Sequence, residues 1–198
     1  LTGANLANRD MIYLGISGDG DSASIGLGQF AHALRRGVNM IYIVENNGVY
    51  GLTKGQFSAT ADKGTANKKG NININNNIDL VALALQLGAT FVGRSFSGDK
   101  KQLVPLIKAG IAHCGAALID VISPCVAFNN HPGSTKSYDF VREHNVAVNK
   151  LDFIPIKAPI ETDYEEGKTK TVKSHNGEVF KLRKLKTGHE PKNRISAI

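Results

Sequence analysis

The alternation of apolar and polar positions divides the chain into short blocks. Residues 11–17 (Met-Ile-Tyr-Leu-Gly-Ile-Ser) form a mostly apolar run, the pattern of a strand covered on both faces. Gly18-Asp19-Gly20-Asp21 breaks it. Over residues 24–36, Ile25, Leu27, Phe30, Ala31 and Leu34 recur near one helical face. Arg35 and Arg36 close the last turn, and Gly37 is placed to cap it. Residues 40–45 are a second apolar strand, stopped by Asn46-Asn47-Gly48. Strand, helix and strand over this span predict a βαβ unit whose two strands run parallel.

Residues 49–77 read as a long loop rich in Gly, Thr, Ser, Lys and Asn. A loop of that length inside a compact domain tends to carry function. Its Asn-rich stretch, residues 71–77, has no explanation in the pattern. The spacing then predicts a helix over 78–87, with Asn77 as N-cap and Gly88 past its end. A strand follows over 91–96, and a helix over 100–113 that Pro105 should kink or restart. Residues 117–123 are another buried strand, ended by Pro124-Cys125, and residues 138–148 read as a helix. Near the end, Thr171-Val172-Lys173-Ser174-His175 and Glu178-Val179-Phe180-Lys181-Leu182 flank Asn176-Gly177, a strong hairpin signal. The expected architecture is an α/β domain over residues 1–150, with a mostly parallel sheet and flanking helices, and a basic hairpin extension over 151–198.

Composition narrows the class. The 198 residues are 41% hydrophobic and 21% charged, enough for one domain with a packed core. No apolar run approaches the roughly 20 residues of a membrane span, so no membrane role is expected. The N-terminus, Leu1-Thr2-Gly3-Ala4-Asn5, shows no basic segment followed by an apolar one and no initiator Met. The expectation is a chain whose true start lies upstream of Leu1. Cys114 and Cys125 are too few for a disulfide framework, which points to a reducing cytoplasm. Net charge is +7, and residues 157–198 hold 10 Lys/Arg against 6 Asp/Glu. Such a surface suits an acidic partner or is simply solvated.

In a parallel α/β sheet, ligands bind beyond the carboxyl ends of the strands. Asp19 ends the first strand and Asn47 the second, and the crossover sets those ends side by side. A carboxylate and an amide oxygen, both hard ligands, then converge. Magnesium takes six oxygens in near-octahedral order and usually shares several with phosphate and water. Gly18 and Gly20 permit close backbone approach, and the helix start near Ser24 offers N–H groups to an anion. Taken separately, Gly18-Asp19-Gly20 and Asn46-Asn47 are tight turns. Together, with a crossover helix between them, they describe a magnesium–diphosphate site. Histidines 32, 113, 131, 144, 175 and 189 show no metal-ligand spacing, and no Ser/His/Asp or Cys/His constellation is legible.

Gly18-Asp19-Gly20 followed by Asn46-Asn47 is similar to the motif of thiamine-diphosphate enzymes. Tyr50-Gly51-Leu52-Thr53-Lys54-Gly55-Gln56, then Ser58-Ala59-Thr60, resembles the cofactor loop of 2-oxoacid:ferredoxin oxidoreductase beta subunits. Ile119-Asp120-Val121-Ile122-Ser123-Pro124-Cys125 and Gly133-Ser134-Thr135-Lys136-Ser137-Tyr138 resemble the 2-oxoglutarate branch of that family. The resemblance implies a thiamine-diphosphate-binding fold and magnesium held by Asp19, Asn47 and the backbone carbonyl of Val49. It implies cofactor contacts by Gly18, Gly20, Asp21, Asn46, Gly51, Leu52 and Thr53, and substrate contacts by Leu52 and Lys54. Cys125 would ligate a 4Fe–4S cluster whose other cysteines would precede Leu1. By residue type alone Cys125 is an inert buried thiol and Lys54 a solvated or diphosphate-binding lysine.

The resemblance further implies an alpha subunit as partner, coenzyme A as acyl acceptor, ferredoxin as electron acceptor and no catalytic acid or base on this chain. Ferredoxin or the partner subunit is the expected contact of the basic hairpin, through Lys170, Lys173, Lys184 and Lys186. Two other readings compete. One is another thiamine-dependent decarboxylase or synthase, which would carry both cofactor-binding domains on one chain. The other is a non-catalytic basic RNA-binding domain, against which stands the lack of any RRM, KH or zinc-finger pattern, so no nucleic acid is expected.

Overall fold

The structure, a computed structural model, describes residues 1–145, 160–174 and 177–185. The chain divides into two compact units, Leu1–Phe153 and Ile154–Ile198. The first opens with a short helix, α1 (Thr2–Ala7), and then follows β1 (Leu14–Gly18), a π-helical turn (Gly20–Ile25), α2 (Leu27–Arg35) and β2 (Met40–Asn46). A two-stranded hairpin, β3 (Val49–Tyr50) and β4 (Gln56–Phe57), precedes α3 (Leu80–Gln86), β5 (Phe91–Phe96), α4 (Lys100–Ala112), β6 (Ala116–Ile122) and α5 (Tyr138–His144). The main sheet has the order β1-β2-β6-β5 with every pairing parallel, as a chain of crossover helices requires.

The alternation along the two central strands builds the core on both faces. Met40 and Val44 of β2, with Ala116 and Leu118 of β6, pack with Phe30 and Leu34 of α2 and Leu80 and Ala84 of α3. The residues that alternate with them, Ile41, Ile43, Ala117, Ile119 and Val121, pack with Leu103, Leu106 and Ile107 of α4. Helices therefore cover both faces, the α/β arrangement that the sequence predicts.

Several local expectations change. Ile25, assigned to the buried helix face, is 79% exposed. The helix expected over 24–36 is a π-helical turn followed by α2, and the wider turn rotates Ile25 out of phase. The N–H groups at the start of that segment accordingly belong to the turn after Asp19 rather than to Ser24. The cap of α3 is Asp79, whose side chain accepts from the N–H groups of Val81 and Ala82, and not Asn77. Pro105 lies within the single helix α4, because the carbonyl it deprives of a bond belongs to Lys101, an exposed residue of the first turn. β1 is an edge strand within this structure, with Leu14 and Ile16 exposed. The Asn-rich run is structural: the buried Asn73 amide donates to the carbonyls of Ala61, Asp62 and Asn75 and closes the loop on itself.

The second unit contains an antiparallel hairpin, β7 (Thr169–Lys173) and β8 (Val179–Arg183). Lys170 faces Leu182 and Lys173 faces Val179. Lys184 donates to Asp163 at 2.8 Å. Asn176 of the turn and Lys186 lie outside the described residues, as does the expected helix beyond Asn145.

Candidate functional site

The carboxyl ends of β1 and β2 meet as the βαβ unit requires. Asp19 follows β1 directly and is buried at 1% exposure. One of its oxygens, Oδ1, accepts the Asn47 N–H at 3.3 Å. The other, Oδ2, accepts the Gly48 N–H at 3.1 Å, the Thr60 hydroxyl at 2.5 Å and the Ser58 hydroxyl. A buried anion is tolerable only when its oxygens are satisfied, and these contacts do that across 28 to 41 positions of sequence.

The Asn46-Asn47-Gly48 turn is shaped by its own side chains. Asn47 Oδ1 accepts the Val49 N–H at 2.9 Å, and the Asn47 carbonyl accepts from the Asn129 amide at 2.7 Å. Gly48 adopts φ +76°, and a Cβ there would lie 2.8 Å from Asn129 Nδ2. Asn129 is set by the loop after β6, where its N–H donates to the Cys125 carbonyl at 2.9 Å. Gly20 is needed for close approach: a Cβ would fall 2.4 Å from the Tyr50 ring, whose hydroxyl donates to the Gly20 carbonyl at 3.1 Å.

Asp19, Asn47 and Val49 are thus brought to one turn, and their oxygen donors fit a hard cation such as magnesium. Asn46 points elsewhere. Its Oδ1 meets Thr60 Oγ1 at 3.0 Å and its Nδ2 donates to Asp120 at 3.0 Å. Gly18 is half-buried beside the Asp21 carboxylate, and Asp21 itself is exposed. The segment from Tyr50 to Gln56 is the β3–β4 turn. The Gly55 N–H donates to the Tyr50 carbonyl at 2.9 Å, and Phe128 packs where a Gly55 side chain would be. Thr53 Oγ1 donates to Gln56 at 2.8 Å. Leu52 is 99% exposed, and Lys54 is held at φ +70°, a strained conformation for a residue with a side chain. Cys125 Sγ lies 3.9 Å from the position of a Gly51 Cβ, beside this loop. Among the described residues no three His, Cys, Asp or Glu side chains are grouped to hold a metal.

Behind Asp19 runs a polar network whose roles the sequence does not disclose. Asp120 is fully buried on β6, and burial pushes its carboxyl above the usual range while Arg94 pulls it back. Arg94 donates to Asp120 at 3.0 Å and to Asp79 at 2.5 Å. Burial also raises Asp79, but the Arg94 charge and hydrogen bonds outweigh it and hold that carboxyl below its usual value. The signal for Asp120 was present, since a carboxylate inside the apolar run 117–122 demands a buried partner. Lys136 forms an ion pair with Asp62 at 3.2 Å, which also accepts from Thr135, so the segment around residues 133–138 is tied to the loop after Thr60.

Comparison with known proteins defines the class. Residues 1–121 match the family model for the thiamine pyrophosphate enzyme, C-terminal TPP binding domain, and the chain belongs to that family. Among individual relatives, it is 42% identical over 166 residues to the 2-oxoacid:ferredoxin oxidoreductase subunit beta of Sulfolobus sp., covering 83% of this chain and 52% of that protein. It is 40% identical to the 2-oxoglutarate oxidoreductase subunit KorB of Mycobacterium tuberculosis, covering 65% of this chain and 35% of the other. A solved 2-oxoglutarate:ferredoxin oxidoreductase from Magnetococcus marinus, with 2-oxoglutarate, coenzyme A and succinyl-CoA bound, superposes with TM-score 0.65 at 36% identity. That match covers 72% of this chain and 48% of the other. The chain spans about half the length of the first relatives it matches. Among the described residues, no helix is long and apolar enough to cross a membrane.

Proposed function

We propose that the chain is the cofactor-binding part of the beta subunit of a 2-oxoacid:ferredoxin oxidoreductase, acting in the reducing cytoplasm on 2-oxoglutarate. The observation that carries this reading is the buried Asp19 carboxylate set beside the Asn47 turn at adjacent parallel strand ends. Asp19, Asn47 and the Val49 carbonyl would hold magnesium, and the N–H groups of the turn after Asp19 would face the diphosphate. Gly18, Gly20, Asp21, Gly51, Leu52 and Thr53 line the cofactor, while Asn46 supports the site from behind. When bound, thiamine diphosphate supplies a carbon nucleophile and an electron sink for decarboxylation.

The strained turn at Lys54 presents its ammonium for a substrate carboxylate, with Leu52 beside it. Cys125 would contribute one thiolate to a 4Fe–4S cluster, which takes four such ligands. Residues 1–150 form the cofactor domain and the rest a hairpin extension. Its lysines, including Lys170, Lys173 and Lys184, steer ferredoxin or dock the alpha subunit.

The test is ferredoxin reduction by the assembled protein, followed with 2-oxoglutarate, pyruvate and coenzyme A. Reduction dependent on 2-oxoglutarate, coenzyme A and thiamine diphosphate supports the reading. Decarboxylation without electron transfer would assign another thiamine-dependent activity. RNA binding with steep salt dependence and no thiamine diphosphate binding would assign a non-catalytic role.

A further inference from the structure

We infer that Ser58 and Thr60 are positioning residues for the metal-binding carboxylate: they hold Asp19 by Oδ2 so that Oδ1 faces the cation. The inference rests on the proposed role of Asp19 as a magnesium ligand and identifies what orients it. The two carboxylate oxygens are treated unequally. Oδ2 receives three donors, the Gly48 N–H, the Ser58 hydroxyl and the Thr60 hydroxyl, whereas Oδ1 receives the long Asn47 N–H contact at 3.3 Å. A carboxylate oxygen has about two lone pairs, so three donors leave Oδ2 no capacity for a cation. Coordination falls to Oδ1.

Both hydroxyls are themselves fixed. Ser58 Oγ accepts the Thr60 N–H at 3.3 Å, which occupies a lone pair and turns its proton toward Asp19. Thr60 has one proton and three acceptors in reach, Asp19 Oδ2 at 2.5 Å, Asn46 Oδ1 at 3.0 Å and Ser58 Oγ at 3.0 Å. The nearest, charged acceptor takes it. Asn46 is anchored in turn on Asp120, and Asp120 on Arg94. The line Asp19–Thr60–Asn46–Asp120–Arg94 crosses from the tip of β1 to β5. Thr60 is 1% and Ser58 6% exposed, so water is poorly placed to replace either hydroxyl. Magnesium needs strict octahedral geometry, whereas calcium accepts varied coordination. A carboxylate freed to rotate should therefore cost magnesium more than calcium.

The experiment measures, in the full assembled protein, the concentration of each cation needed for half-maximal thiamine diphosphate binding, by calorimetry. Thr60→Val should raise the magnesium requirement by about tenfold to a hundredfold, the worth of one hydrogen bond to a charged group. The calcium requirement should rise less, shrinking the preference for magnesium, and Thr60→Ser should restore it. If Thr60→Val does not fold, Ser58→Ala removes a second donor to the same oxygen and carries the same expectation. An unchanged preference for magnesium over calcium in the folded variant overturns the inference. Asp19→Asn separates the two levels. If it retains the wild-type magnesium requirement, the metal reading itself fails. If it loses binding while Thr60→Val and Ser58→Ala keep the wild-type preference, the positioning role alone is overturned.

Discussion

Replacing Gly48 with Ala attacks the turn that carries Asn47. Gly48 sits at φ +76°, where a Cβ costs about 1–2 kcal/mol. The new methyl would also lie 2.8 Å from Asn129 Nδ2 and 3.1 Å from the Lys136 stem. Asn129 must yield, and with it goes the 2.7 Å bond that holds the Asn47 carbonyl. Leaving that acceptor short of a partner adds about 1–3 kcal/mol, for a total of about 2–5 kcal/mol. Gly37 is the control: it has φ +63° but open space around it, so Gly37→Ala should cost only the backbone part, about 1–2 kcal/mol. Urea unfolding of both variants measures the difference, and thiamine diphosphate affinity should fall only in Gly48→Ala. Equal destabilisation by the two substitutions, with unchanged affinity, would refute the claim that Asn129 and Gly48 together fix the Asn47 turn.

The strained, exposed Lys54 should discriminate between substrates. Lys54→Ala is expected to lower kcat/KM for 2-oxoglutarate about tenfold or more relative to pyruvate, and an equal loss for both acids would place it on the cofactor. Cys125→Ser should remove iron and the low-potential paramagnetic signal from the full protein, and retention of full iron content would end the ligand assignment. The Arg94 pair holds the Asp79 carboxyl below its usual 3.8, so its stabilisation is complete above that value and is lost as pH falls through the folded-state value. Asp79→Asn keeps an N-cap but no charge, so it should flatten the acid limb of stability below about pH 4. The pair is half-exposed, which limits the change to about 1 kcal/mol or less. Identical acid limbs in urea titrations of wild type and variant would show that the ion pair adds nothing.

What the sequence discloses follows the range of the interaction. Strand β5 falls at residues 91–96 as the sequence predicts, and Gly37 and Gly88 follow α2 and α3 as left-handed residues because helix-ending chemistry is local. The choice between Asn77 and Asp79 as cap is not local. Both residue types cap helices, and Asp79 is also tied to Arg94, 15 positions away on β5. Ile25 is misplaced by periodicity because a π-turn inserts a residue that no 3.6-residue pattern registers. The exposure of Leu14 and Ile16 follows from the edge position of β1, and a continuous apolar run does not distinguish edge from centre. At the site, Asp19 and Asn47 are legible because one crossover unit brings them together. Ser58 and Thr60 are not, because their contact with Asp19 depends on how the chain folds back just after β4, 39 and 41 positions on.

The central claim is that Asp19 anchors magnesium and thiamine diphosphate at the tip of β1. Calorimetric titration of the assembled protein with thiamine diphosphate, with and without magnesium, tests it directly against Asp19→Ala. The account requires magnesium-dependent binding in the wild type and none in the variant, because the dication loses its charged protein ligand. Wild-type affinity in Asp19→Ala, or binding indifferent to magnesium, would contradict it.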